Sequence, residues 1–301
     1  MSKKVLFLVN ITSGKGKAKD NIIELVRLLN ELNYEVSIYL ISPSEELTSE
    51  KAIDTLKNDY ESIIFCGGDG TLNHVINSLY TRKLDKIIGY CPSGSTNDFA
   101  MTLYGERELE MSAMAKAIEI NSVNEYDVLK FNDKYYNYVA AFGMFTKISY
   151  DTDQLAKNKL GYVAYLMNAV SNLGENINVH EHARIEHDGK VIEGDFALCG
   201  VSNTVSIAGI KSDLFKAESV SDGIFEVTLI KSFKGVAEFN EIISCVQKGI
   251  PDGDKVITFK TSECRFIFDE PVSWSLDGED GGSYQEVTIS VSDKKQKYYK
   301  I

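Results

Sequence analysis

Over its first third the chain alternates between short, mostly apolar runs and longer stretches whose apolar residues recur every three or four positions. The short runs, at 4–10, 34–41, 62–66 and 86–91, predict buried strands. The longer stretches, near 18–33, 47–58, 71–80 and 109–118, predict helices. In the first of them Ile22, Leu25, Val26, Leu28, Leu29 and Leu32 fall on one face. A series of this kind implies a doubly wound α/β domain, a parallel sheet covered by helices on both faces.

After about Asn121 strand signals dominate, at 125–131, 135–141, 183–187, 196–202, 225–230, 255–260, 265–268 and 286–291. His187-Asp188-Gly189-Lys190 separates two of them and predicts a hairpin. Helical stretches near 160–173 and 233–248 interrupt the series. The second part therefore reads as an all-β, antiparallel, sandwich-like domain. The expected division is 1–128 and 129–292, with the tail 293–301 free to pack back onto the first domain. No Pro- or Ser-rich linker separates the halves, which implies a cleft between tightly joined domains.

Composition narrows the function. A formal charge of −12 argues against nucleic acid, whose binding depends on neutralising phosphates with Lys and Arg. The apolar run at 5–9 is too short to span a membrane and has no cleavage site after it, so it reads as a strand. Cys66, Cys91, Cys199, Cys245 and Cys264 are odd in number and lack metal-ligand spacing, the pattern of reduced thiols in a cytoplasmic protein. His180 and His182 alternate along a predicted strand without a nearby third ligand, and read as surface residues.

Three of the four early strands run into unusual loops. They are Asn10-Ile11-Thr12-Ser13-Gly14-Lys15-Gly16-Lys17, Gly67-Gly68-Asp69-Gly70-Thr71, and the stretch from Cys91-Pro92-Ser93-Gly94-Ser95 through Thr96-Asn97-Asp98-Phe99-Ala100. Ligands of an open parallel sheet bind beyond the carboxyl ends of its strands. Each loop offers small residues, hydroxyls and backbone N–H groups at a helix start, which suits phosphate. One such loop could be an ordinary βα turn; three at one sheet edge point to a site. Neither GxxxxGK[ST] nor a GxGxxG after the first strand occurs. An aspartate in the tightest of these turns would repel phosphate, and its presence suggests a cation.

These motifs resemble a known family. Gly67–Thr71 is the signature of a kinase superfamily that includes diacylglycerol, sphingosine and NAD kinases and phosphofructokinases. The set Asn10-x-x-Ser13-Gly14, Pro92-x-Gly94-Ser95-x-Asn97-Asp98-Phe99-Ala100, Leu160-Gly161-Tyr162, Ser221–Val227 and Asp277-Gly278-Glu279 is similar to the soluble bacterial diacylglycerol kinase-like lipid kinases. Two positions depart from that pattern: Ile11 stands where proline is usual, and Ser95 where threonine is usual.

The resemblance implies an ATP- and Mg²⁺-dependent lipid kinase. It implies nucleotide contacts at Asn10, Ile11, Thr12, Ser13, Gly14, Gly67, Gly68, Asp69, Gly70, Thr71, Asn73, Ser95 and Asn97. It implies a Mg²⁺–water network through Asp69, Asp98 and Asp127, and a structural Mg²⁺ held by Asp222 with the carbonyls of Ser219 and Ile224. Its general base lies in the Asp277-Gly278-Glu279 motif, Asp277 in first place and Glu279 as base or orienter. Read without the resemblance, that stretch is an Asp-Gly hairpin turn, as is the one at Asp222.

The acceptor expected is diacylglycerol or a related lipid, met by transient contact at the inner face of the membrane; a homodimer is left open. Phe142-Gly143-Met144-Phe145 and a helix carrying Tyr162, Tyr165, Leu166 and Met167 are candidates for an apolar groove, flanked by Lys147, Lys157 and Lys159. The alternatives are a kinase of a soluble acceptor such as NAD and a non-catalytic nucleotide-binding regulator.

Overall fold

The computed structural model describes residues 3–11, 13, 17–42, 47–56, 60–94, 96–144, 180–207, 217 and 219–301. The chain forms two compact units, one of residues 1–128 with 294–301 and the other of residues 129–293. It passes from one to the other within β5 (Val123–Phe131) and again within β13 (Glu279–Tyr299).

In the first unit β1 (Lys3–Asn10) pairs in parallel with β2 (Tyr34–Ile41) and β3 (Ser62–Gly67), and β3 pairs with β4 (Ile87–Pro92). The far edge of β4 is taken by the end of β13, where Tyr298 pairs in parallel with Ile88. Five helices accompany the sheet: α1 (Lys17–Glu31), α2 (Ser49–Leu56), α3 (Asp69–Thr81), α4 (Asp98–Tyr104) and α5 (Met111–Glu119). Val5, Phe7 and Val9 share one core with Leu25 and Leu29 of α1 and Met111, Met114 and Ile118 of α5. Leu6 and Leu8 point to the opposite face and are buried too, α2 packing against β1 and α3 on β3. The continuous apolar runs of these strands thus reflect burial on both sides.

The second unit contains β6 (Lys134–Tyr136), β7 (Val139–Gly143), β8 (Glu181–His187), β9 (Lys190–Ser202), β10 (Phe225–Lys231), β11 (Val256–Thr261) and β12 (Glu263–Leu276), with the first part of β13. The pairings of β7 through β12 and of β12 with β13 are antiparallel. β8 and then β7 follow one another along the same edges of the two long strands β9 and β12. Alternate residues make one apolar core, including Phe142, Val201, Val227, Phe266 and Trp274. On the other face Ala197 and Ile230 pack with Phe239, Ile242 and Val246 of α6 (Gly235–Lys248).

Three departures from the sequence pattern have physical causes. The run predicted at 135–141 is split at Asn137-Tyr138, because backbone N–H groups there bond to a side chain instead of a strand. β12 extends far beyond 265–268; its ladder shifts register between Ile267 and Val272, where Asp269, Glu270 and Pro271 interrupt the alternation. α4, unmarked by any periodicity, is a seven-residue helix whose start is held by a residue of another element. The helix expected at 160–173 lies outside the described residues.

Trp274 is wholly buried, with the rings of Phe142, Phe131 and Phe266 centred 4.8, 5.1 and 5.2 Å away. Trp274→Ala should cost about 3–5 kcal/mol of stability, read as a lower midpoint in chemical denaturation.

Candidate active site

In the first unit the three loops meet at the carboxyl edge of the sheet. Asn10 Nδ2 donates to Thr71 Oγ1 at 2.9 Å, tying the end of β1 to the first turn of α3. Ser13 Oγ lies 2.6 Å from Ser93 Oγ, and Ser93 N–H donates to the Gly67 carbonyl at 2.9 Å. The second and third loops touch through backbone: a Cβ on Gly94 would sit 2.6 Å from Gly68 Cα, and one on Gly68 would sit 3.2 Å from Gly94 Cα. The glycines are therefore required by close approach. α3 starts at Gly68 with no side-chain cap, and residues 68–71 are partly exposed. An uncapped helix start of this kind presents backbone N–H groups to an anion.

Asp69 stands at that start but turns to another element. Its carboxylate accepts the N–H groups of Asp98 at 2.9 Å and Phe99 at 3.3 Å, the first residues of α4, and the Tyr90 hydroxyl at 3.2 Å. Tyr90 is held flat on Phe65, ring centroids 4.7 Å apart. Asn97, at φ +53°, donates from Nδ2 to the Arg107 carbonyl.

The three acids expected to share a Mg²⁺ network each have protein partners. Asp98 is buried, with Arg107 Nη2 at 3.1 Å, and buried Asp127 has Lys295 Nζ at 3.3 Å. Among the described residues no group of three or more His, Cys, Asp or Glu is gathered to hold a metal ion. Mg²⁺ retains several waters and binds through one or two carboxylates with substrate phosphates, so Asp69 alone is compatible with a hydrated ion. Tyr90, Arg107 and Lys295 carry no motif; only the fold brings them to these acids.

Asn73 is buried, and its Oδ1 accepts from Asn77 Nδ2 at 3.0 Å. Ile11 is exposed, while Thr12, Gly14 and Ser95 lie outside the described residues. Cys66 and Cys91 are register partners beneath the two glycine loops, and burial pushes both thiols up. All five cysteines are free.

In the second unit Asp277 and Gly278 form the turn between β12 and β13, with φ of +51° and +87°. The hairpin reading of this stretch is thus correct. Asp277 nonetheless is only 2% exposed. Its Oδ2 accepts Asn137 N–H at 2.8 Å and Asn137 Nδ2 at 3.2 Å; its Oδ1 accepts Tyr138 N–H at 3.0 Å and Val139 N–H at 3.1 Å. Burial, and then the charge of Asp277, push the nearby Tyr136 phenol well above its usual range. Glu279, two residues on and paired with Leu276, is exposed.

Asp222 is exposed, and its Oδ1 accepts Ile224 N–H at 3.3 Å in a turn around Gly223; Ser219 Oγ accepts Ser221 N–H. Phe142 and Met144 are core residues rather than groove, whereas Phe145, Lys147, Lys157, Lys159, Tyr162, Tyr165, Leu166 and Met167 lie outside the described residues. Exposed His182 faces Asp195 across its strand pair, Nδ1 to Oδ1 2.8 Å.

Comparison with known proteins gives this arrangement a class. Residues 4–131 match the family model of the diacylglycerol kinase catalytic domain. The diacylglycerol kinase of Staphylococcus carnosus is 31% identical over 283 residues, covering 94% of this chain and 90% of that one. That of Bacillus subtilis is 29% identical over 281 residues, covering 93% and 91%. A crystal structure from Bacillus anthracis str. Sterne superposes with a TM-score of 0.81 at 24% identity, covering 100% of this chain and 96% of that one, a likeness of fold. The chain is a phosphotransferase acting on an alcohol acceptor. It belongs to the bacterial diacylglycerol kinase family, and so to the lipid kinases, for which ATP is the implied co-substrate.

Gly94→Ala should force the second and third loops apart and weaken nucleotide binding at least tenfold, as titration with an ATP analogue would measure. The overpacking should also cost about 1–3 kcal/mol of stability.

Proposed function

We propose that this chain transfers the γ-phosphoryl group of ATP to the hydroxyl of diacylglycerol, giving phosphatidic acid. The observation that carries this reading is the meeting of three small-residue loops at the uncapped start of α3, in a chain whose relatives are named diacylglycerol kinases. The backbone of residues 67–71, with Asn10 and Ser13, cradles the phosphates. Asp69 is the carboxylate that would hold a hydrated Mg²⁺ here, an ion that would cancel charge on the moving phosphoryl group. Asp98 and Asp127, engaged by Arg107 and Lys295, support that region without serving as direct ligands.

Glu279 takes the role of general base. Asp277 accepts four hydrogen bonds, filling the roughly four lone-pair sites of a carboxylate, while Glu279 is exposed. As the acceptor oxygen bonds to the γ-phosphorus, the bond from phosphorus to the β–γ bridging oxygen breaks. ADP departs with that oxygen, and the hydroxyl proton passes to Glu279. Among the described residues no helix is long and apolar enough to cross a membrane. The proposed substrate is itself a membrane lipid, so the reading places the reaction at a membrane surface, by transient contact.

At the Asp222 turn, the carboxylate with the carbonyls of Ser219 and Ile224 would offer Mg²⁺ hard oxygen ligands. Its role is structural, far in sequence from the phosphate loops.

Incubation with γ-labelled ATP, Mg²⁺ and mixed bacterial lipid extract should label phosphatidic acid; label appearing only in a water-soluble product overturns the lipid reading. In the same assay Glu279→Gln should lower turnover by about 10²–10⁴-fold, and Asp69→Ala should abolish nearly all transfer while the protein stays folded. Asp222→Ala should lower the melting temperature in Mg²⁺ and leave ATP affinity within about twofold; an unchanged melting temperature counts against the structural ion.

A further inference from the structure

A two-residue Asp-Gly hairpin turn is ordinarily a solvent-facing device. Its two central residues adopt positive φ, and the aspartate has no need of burial. The turn at Asp277-Gly278 is half of that kind. A Cβ on Gly278 would meet nothing within 4 Å, so this corner faces open space. Asp277, one residue earlier, is buried, and its carboxylate lies against the start of β7.

The contact is unusually complete. Three successive backbone N–H groups, of Asn137, Tyr138 and Val139, converge on the two carboxylate oxygens, and the Asn137 side chain adds a fourth donor. In return Asp277 N–H donates to the Val139 carbonyl at 2.8 Å. A buried charge is tolerable only when its hydrogen-bonding capacity is met. Convergent N–H groups of this kind form an anion-binding concavity, occupied here by the protein's own carboxylate. The arrangement also splits the strand at 137–138, so ladder hydrogen bonds are given up to make it.

We infer that Asn137 is a positioning residue, acting through Asp277 to fix the hairpin turn and hence the direction of the Glu279 carboxylate. The inference rests on the proposal that Glu279 is the base. Of the four donors named above, Asn137 Nδ2 is the side-chain one, and Asn137 is itself buried, so it is the part of the clasp that substitution can remove. Asp277 then has a division of labour with Glu279: the buried acid sets the geometry, and the exposed one moves the proton. A base displaced by about 1 Å can lose on the order of 10²-fold in rate.

The test uses the full-length protein in the labelled-ATP assay with diacylglycerol in mixed micelles. Asn137→Ala should lower kcat by roughly 10- to 100-fold with KM for ATP unchanged. Asn137→Asp, which sets a second carboxylate against Asp277, should lose more. Asn137→Ser, which keeps a side-chain donor toward Asp277, should retain more kcat than Asn137→Ala or Asn137→Asp. Thermal melting of each variant is followed in parallel; if Asn137→Ala fails to fold, the ordering of Asn137→Ser above Asn137→Asp decides. Wild-type kcat in folded Asn137→Ala, or a kcat in folded Asn137→Ser no higher than in Asn137→Asp, overturns the inference. Full activity in Glu279→Gln instead overturns the assignment of the base, so the two failures are distinguishable.

Discussion

The glycine-rich turn of the first unit and the hairpin turn of the second rest on one kind of bond: a carboxylate accepting the backbone N–H groups of an element far away in sequence. Asp69 holds the first turn of α4, and Asp277 holds the first residues of β7. Such bonds are charge-assisted and gain strength where water is scarce. They give short loops and turns a rigidity that their own residues could not supply. α4 depends on this directly. Its seven residues are too few for a stable isolated helix, and its cap, Asn97, is left-handed and makes no side-chain capping bond.

The aspartate among the glycines therefore answers to two demands. Under the proposed phosphate site it must not crowd the anion, and it must join the second loop to the third. The glycines meet the first demand by letting backbone touch backbone at Gly68 and Gly94. The carboxylate meets the second by bridging to α4, with Tyr90 bracing it from the side. A cation facing Asp69 would then bind to a group already oriented, which lowers the ordering cost of binding.

Much of this was legible in the chain. The apolar runs of β1, β3 and β4 are strong because both faces are buried, whereas β2 leaves Ile38 and Leu40 exposed; the 3.6-residue period of α1 and α5 survives because only one face packs. The glycine-rich loops stood out because few other residues permit such close approach. What was not legible depends on partners distant in sequence. Nothing near Arg107 or Lys295 marks them as counterions of Asp98 and Asp127. Nothing near Asn137 marks it as a clasp for a residue 140 positions away. In the Asp277-Gly278-Glu279 motif both acids are equally visible as letters, and only the fold buries the first and exposes the second. β12 was cut short in the reading because Asp269, Glu270 and Pro271 look like a loop, whereas the strand absorbs them as an irregularity in its ladder.

The C-terminal end of β13 has a consequence for how this protein can come into being. Tyr298 is fully buried between Phe99 and Tyr126, Gln296 bonds to the Lys86 carbonyl, and Lys300 N–H bonds to the Ser122 carbonyl. The amino-terminal module is thus finished by residues that follow the whole β-rich portion in the chain. Synthesis must run past the entire β-rich portion before the flank of β4 is sealed, and until then an unpaired strand remains available to foreign chains. A gene fragment ending near residue 131, where the catalytic-domain match stops, would encode that exposed state permanently.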